Sequence, residues 1–196
     1  MTETNDPRPL LDIALATAAD AVAGVRPDQL DLPTPCTDFT VRDLSAHLVD
    51  VAWRIGDLGR GTPVFDGYLP VRTPAADVIA GDDWATAFKD AAAGAAEGWA
   101  DGERLAAMVE LPWATLPGAV QLLTYLNELS VHTWDLATAT GQSVAWDESV
   151  LEPALAAMTM GLPAGARDEA PFDEPVDVPA DAPLVDRLVA WNGRRP

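Results

Sequence analysis

Positive charge is scarce in this chain of 196 residues, in which 12 Lys and Arg face 31 Asp and Glu and leave a formal net charge of −19. Proteins that bind nucleic acid neutralise phosphates with basic side chains, so this balance excludes nucleic acid as a partner. The same shortage argues against binding to an anionic membrane surface. The charge balance therefore predicts that the protein binds neither nucleic acid nor a membrane.

Cysteine is present only once, as Cys36, which excludes an intramolecular disulfide and fits a reducing cytosol. The N-terminal residues have neither the basic region nor the apolar core of a secretory signal, so we predict a cytoplasmic protein. Long apolar runs are also missing. The longest uncharged stretch, residues 111–127, contains Pro112 and Pro117 and does not suit a membrane span.

Apolar residues nonetheless make up 48% of the chain, and much of this fraction is Ala, which favours helix. Apolar residues recur at spacings of three and four in six segments. These predict helices over residues 8–22, 41–58, 82–99, 117–140, 147–160 and, as a short last helix, 183–191. Thr40 and Asp43 have the spacing of a capping box for the second helix. Gly94 and Gly98 are expected to weaken the third.

The order of these elements predicts an all-α fold in which four long helices and one long crossover form a bundle. The crossover, residues 59–81, is expected to be irregular, and residues 101–115 are either a short strand or an extended linker. We expect residues 1–162 to form the bundle. Residues 163–196, which hold six of the 17 prolines, are expected to form a mostly irregular tail packed on its surface.

Histidine is nearly as scarce as cysteine, with only His47 and His132 in the chain. Glu128 precedes His132 by four residues, so both side chains leave one face of the predicted helix. His47 lies on the apolar stripe of another helix. Two imidazoles and one carboxylate give three protein ligands and leave a position open, as in reactive metal sites.

The pattern thus predicts a divalent metal bound by His47, Glu128 and His132, with zinc expected and nickel or iron as alternatives. The competing interpretation is that both histidines are hydrogen-bonded core residues.

Several neighbouring residues have two interpretations each. Asp135 either orients an imidazole or is an exposed acid. Cys36 is either a reactive thiol near a helix N-terminus or, as we favour, a small hydrophobe. Arg54 either meets an anionic substrate or pairs with a surface acid, and the abundance of acids favours pairing. Trp53 and Trp134 are candidates for the wall of a pocket. Three acids near the second helix are expected to be caps or surface groups: Asp38, Asp43 and Asp50.

Two stretches, PTPCTDFTVRDLSAHLVD and NELSVHTWDLATATG, resemble the signatures of actinobacterial proteins similar to the N-terminal metal-binding domain of mycothiol-dependent maleylpyruvate isomerase. That family belongs to the DinB-like superfamily of four-helix bundles, and the resemblance covers about residues 8–145. Carried over by motif position, the family's metal ligands are His47, Glu128 and His132. The family usually has Gly-Trp where this chain has Asp38 and Phe39.

The resemblance implies a metal- and thiol-dependent transferase or isomerase that uses mycothiol on a small electrophilic molecule. The isomerase carries a separate C-terminal domain after its bundle, whereas a short proline-rich stretch follows the bundle here. The resemblance therefore supports the fold and the metal site more than maleylpyruvate isomerisation itself. The alternatives are a metal- or small-ligand-binding protein without turnover, a metal-dependent hydrolase, and an interaction module. Apolar helix faces suit a monomer or a homodimer equally.

Overall fold

The computed structural model describes residues 6–165, 167 and 172–196, which are mostly helical. The α-helices are α1 (Arg8–Ala23), α2 (Val41–Arg60), α3 (Ala75–Val78), α4 (Trp84–Gly98), α5 (Gly118–Thr140), α6 (Glu148–Gly161) and α7 (Leu184–Trp191). Two antiparallel ladders pair β1 (Phe65–Asp66) with β2 (Leu69–Pro70) and β3 (Met108–Leu111) with β4 (Ala114–Pro117). None of the helices in these ranges combines the length and the apolar character needed to cross a bilayer.

The predominance of helix is confirmed, and the ends of each predicted helix differ from the observed ones by at most two residues. The crossover departs from the expectation of irregular structure, because it contains the β1–β2 ladder and the short α3. Residues 101–115 contain a 3₁₀ turn, Gly102–Leu105, and most of the β3–β4 hairpin. Pro117 ends β4 and lies just before α5.

A capping box fixes the start of α2 and thereby the face on which its side chains lie. The Asp43 backbone N–H donates to Thr40 Oγ1 at 3.3 Å, and the Thr40 N–H donates to Asp43 Oδ2 at 3.0 Å. This confirms the predicted cap. With the first turn fixed, Leu44, Leu48 and Val51 are buried on the inward stripe that also carries His47.

Helices α2 and α4 approach each other through glycines. Gly56 and Gly59 of α2 lie directly against the backbone of Gly94 and Gly98 in α4. A Cβ atom at Gly59 would lie 2.5 Å from the carbonyl oxygen of Gly98, a separation that side-chain carbons do not tolerate. Gly94 and Gly98, which were expected to weaken this helix, are therefore the points at which α4 packs against α2.

The residues after α6 dock against α5. Asn192 and Asn127 are buried and exchange two amide hydrogen bonds of 3.1 and 2.8 Å, and Leu188 of α7 is fully buried. Trp191 Nε1 donates to the Leu162 carbonyl at 3.2 Å. The predicted division between residues 1–162 and 163–196 stays a prediction, and its positions 1–5, 166 and 168–171 lie outside the described residues.

The glycine contact predicts opposite effects for two alanine substitutions in α4. Gly98→Ala would force a methyl group into the backbone of Gly56, and overpacking of this kind costs about 1–3 kcal/mol of unfolding free energy. At Gly94 a Cβ meets no atom within 4 Å, so Gly94→Ala should stabilise the protein by up to about 1 kcal/mol through helix propensity. Urea denaturation of both variants measures the difference, and equal effects at the two positions would contradict the close approach.

Candidate metal centre

The three predicted ligands meet where α2 faces α5. Glu128 Oε1 lies 3.1 Å from His47 Nε2 and 3.6 Å from His132 Nε2. The two imidazole rings lie 4.8 Å apart, almost perpendicular to each other. One potential ligand atom from each of the three residues lies within 4.8 Å of the other two. The structure thus brings together the residues that the sequence pattern selected, and their role as metal ligands stays a prediction.

The protonation of this cluster suits cation binding. Burial lowers the pKa of His47 and so favours its neutral imidazole. Burial alone would raise the pKa of Glu128, but the hydrogen bond with His47 and the electrostatic attraction of the surrounding groups together outweigh burial and lower this pKa. A neutral imidazole and an ionised carboxylate are the forms that bind metal.

Asp135 orients the second imidazole. Its side chain is completely buried, and Oδ2 lies 3.1 Å from His132 Nδ1. When Nδ1–H donates to this carboxylate, the lone pair of Nε2 is left free on the side of Glu128 and His47. The first of the two interpretations of Asp135 therefore holds: this residue orients an imidazole and is not an exposed acid.

Arg194 holds Asp135 in turn, and sequence reasoning missed it. Its Nε and Nη2 donate to the two carboxylate oxygens at 3.1 and 2.9 Å, a two-pronged ion pair. Arg194 lies 59 residues after its partner and follows α7. No local spacing relates residues so far apart, so only the docking of the C-terminal segment reveals the contact.

Aromatic rings differ in their relation to the site. Phe39 stacks on His47 with ring centroids 5.1 Å apart and presents its edge to His132 at 6.5 Å, so it walls the cluster. Trp53 lies instead under the guanidinium of Arg72, at 4.9 Å. Trp134 is half-buried and packs on the hydrophobic core. The wall of the site is thus Phe39, one of the two residues at which the chain departs from the usual family pattern.

Cys36 approaches the same histidine from another side. Its sulfur belongs to a second group of potential ligand atoms, with His132 and Asp135, whose members lie within 4.8 Å of one another. Burial raises the pKa of the Cys36 thiol, which favours the protonated form. This agrees with the interpretation of Cys36 as a packing residue rather than a reactive thiolate.

The four remaining charged residues near α2 differ in their surroundings. Asp43 caps the helix, and Asp38 is exposed. Asp50 is half-buried and accepts the backbone N–H of Ala75, the first residue of α3, at 2.8 Å. For Arg54 the favoured pairing with a surface acid is wrong, since no ion pair between described residues includes it. Abundant acids on the surface do not ensure one within reach of a given arginine.

A comparison with protein families decides the relationship. Residues 11–137 match the family described as the mycothiol maleylpyruvate isomerase N-terminal domain. The chain belongs to this family. The family is associated with metal binding, and the candidate ligands of this chain lie within the matched range.

Two relatives of this family member are uncharacterized proteins of Mycobacterium tuberculosis, from strains CDC 1551 / Oshkosh and ATCC 25618 / H37Rv. Each is 33% identical to the chain over 177 residues, which cover 90% of the chain and 91% of the relative. No solved structure matches.

Loss of Arg194 should destabilise the protein strongly. Arg194→Gln leaves the carboxylate of Asp135 buried without its cationic partner, which costs about 3 kcal/mol of unfolding free energy. Arg187→Gln removes an exposed arginine of α7 and should change stability by less than about 0.5 kcal/mol. Denaturant titrations of both variants provide the comparison, and similar losses would show that the buried pair has no special weight.

Cys36 should react slowly in the folded protein. Because burial raises the pKa of its thiol, the thiolate fraction at pH 8 is lower than that of an unperturbed cysteine, and iodoacetamide should modify it more slowly. Unfolding in guanidinium chloride should accelerate the modification by at least about tenfold, because both the burial and the pKa shift are lost. Mass spectrometry of the alkylated protein follows the rate. Rapid modification of the folded chain would contradict the packing role.

Proposed function

We propose that this domain binds a divalent metal through His47, Glu128 and His132 and uses it with a low-molecular-weight thiol to act on a small electrophilic molecule, as a transferase or isomerase. The observation that carries this proposal is the meeting of three potential ligand atoms from α2 and α5 beside a buried carboxylate that orients His132. The family description makes mycothiol the thiol of first choice.

The residues present fit a catalytic rather than a purely structural metal site. In the ranges that the structure describes, no fourth Cys, His, Asp or Glu joins this group of three. Three protein ligands leave a position for a small molecule in the tetrahedral arrangement that zinc prefers, and we propose zinc as the ion. The carboxylate of Glu128 supplies the negative charge that imidazole ligands lack.

Residues around the open coordination position have different roles. Asp135 accepts the Nδ1 proton of His132 and keeps the other ring nitrogen available as a ligand. Phe39 covers one side of His47 and limits the access of water there. A bound divalent ion would supply Lewis acidity, which lowers the pKa of a thiol or a water at the open position.

The architecture that we propose is a DinB-like four-helix bundle of α1, α2, α4 and α5 within residues 1–162. It is supported by packing of α1 against α4 and α5, and of α2 against the same two helices. Residues 163–196 would form the surface tail. We propose a cytoplasmic protein, monomeric or homodimeric, whose partners are the thiol and the substrate rather than nucleic acid or membrane.

The main alternative is a protein that binds the metal, or a small ligand, without turnover. It is favoured by the state of the two carboxylates nearest the cluster. Asp135 is occupied by Arg194 and His132, and Asp50 accepts an N–H from α3, so neither is poised as a general base. A metal-dependent hydrolase remains a further alternative, since the same open position accepts water.

Metal content is the first test of the proposed function. Elemental analysis of untagged protein should find about one equivalent of zinc, nickel or iron, and much less in His47→Ala and in His132→Ala. Removing a ligand should weaken binding by more than the roughly 10- to 100-fold loss seen when an outer hydrogen-bonding partner is removed. Zinc at 100 times its dissociation constant should also stabilise the parent by about 2.7 kcal/mol.

Matched carboxamide variants control for charge. Glu128→Gln removes one candidate ligand atom and one charge, whereas Glu97→Gln removes the same charge from the exposed face of α4. Only the first should lose the metal. Absence of metal from the reconstituted parent would overturn the proposal. Binding of metal with no transfer of mycothiol to an electrophile would favour the alternative without turnover.

A further inference from the structure

A cavity of about 320 Å³ lies between α2 and the crossover. Asp50, Arg54 and Asp57 line it from the helix, and Val64, Val71 and Arg72 are among the residues that line it from the crossover. It is large enough for a small organic molecule. One wall of the cavity is formed by α2, the helix that also carries His47 two turns before Arg54.

The cavity is lined by as many arginines as carboxylates, in a protein whose formal net charge is −19. Asp57 accepts from two guanidinium groups, Arg60 at 2.8 Å and Arg72 at 2.9 Å. Asp50 is already engaged by the Ala75 N–H. Of the two arginines that line the cavity, Arg72 is therefore paired with Asp57, which also binds Arg60 outside the cavity lining.

Arg54 is the lining arginine that forms no ion pair with either carboxylate. Its Nε donates to the backbone carbonyl of Asp50 at 3.3 Å, and its guanidinium lies 5.9 Å from the centre of the Phe65 ring. Within residues 6–165, 167 and 172–196, no carboxylate forms an ion pair with Arg54, and its Nη groups donate to no protein acceptor. An arginine presents paired N–H groups that match a planar carboxylate.

The Arg54 side chain leans toward the candidate metal centre. Arg54 follows His47 by seven residues, which places it on nearly the same face of α2 and about 10 Å further along the axis. Its bond to the carbonyl four residues earlier shows that the guanidinium points back along the helix, toward His47.

We infer that Arg54 binds the carboxylate of the small molecule on which the candidate metal centre acts, and so determines specificity for an anionic substrate. This inference rests on the proposed function, because it names the substrate class of the same site. The substrate carboxylate would enter the cavity beside Arg54, and the reacting end of the molecule would extend along α2 toward His47.

The test compares glutarate with glutaramide, which has a similar shape without charge, by calorimetric titration of the full-length protein. We expect glutarate to bind at least about tenfold more tightly, since hydrogen bonds to charged groups contribute more than neutral ones. Arg54→Gln should reduce the preference to less than about twofold. Arg54→Lys, which keeps the charge but loses the paired donors, should retain part of it.

Lys89→Gln is the matched control, because it removes one positive charge from an exposed position on α4 outside the cavity. It should keep the full preference for glutarate. An equal preference in Arg54→Gln and the parent, or no preference in the parent, would overturn the inference. Circular dichroism shows whether each variant is folded. If Arg54→Gln does not fold, Arg54→Lys still tests the role of the paired donors.

Zinc content, measured in the same samples, separates this inference from the proposed function. If the parent fails to bind zinc, the proposed function fails, while the comparison of glutarate with glutaramide still decides whether Arg54 is a carboxylate site. If zinc binds and Arg54→Gln has no effect on the preference, the metal site stands and the inference is wrong.

Discussion

The candidate metal centre depends on one buried carboxylate. Asp135 is completely buried, and an ionised carboxylate in that position is tolerated only when it is paired. Arg194 forms an ion pair with Asp135, and His132 contacts the same carboxylate. Asp135 therefore both contributes to folding and orients the imidazole. Because Arg194 follows α7, the site is complete only when the C-terminal segment has docked on α5. The stability of that segment and the geometry of the site are therefore coupled.

A second constraint places the partner helix. Glycines at the α2–α4 contact let the two backbones touch, while the opposite side of α2 faces α5 and carries His47. If α2 were displaced outward by a single side chain at this contact, His47 would move relative to Glu128, since α2 is packed on both sides. Residues far from the chemistry thus set the separation of the His47 ring nitrogen from the carboxylate of Glu128.

Spacing predicted much of this arrangement because its physical cause is local. Glu128 and His132 share a face through the pitch of one helix, and the Thr40–Asp43 box fixes the turn that aims His47 inward. The role of Arg194 could not be predicted, since it depends on how a distant segment docks. The pairing of Arg54 was predicted wrongly for a related reason. Composition counts the acids in a chain but does not say which of them other arginines have already engaged, as Arg60 and Arg72 engage Asp57.

The net charge of −19 favours the approach of a metal cation to the metal centre and opposes the approach of an anion to the cavity. A strongly negative protein attracts divalent cations at long range and repels anionic molecules. Salt screens this field over a Debye length of about 8 Å at physiological ionic strength, so an anion reaching the cavity meets mainly the groups that line it. Two arginines and two carboxylates line the cavity, and of these arginines Arg54 is the one that forms no ion pair within the described residues. Recognition of an anion by this chain must therefore come from short-range contacts inside the cavity, because the field of the whole protein works against it.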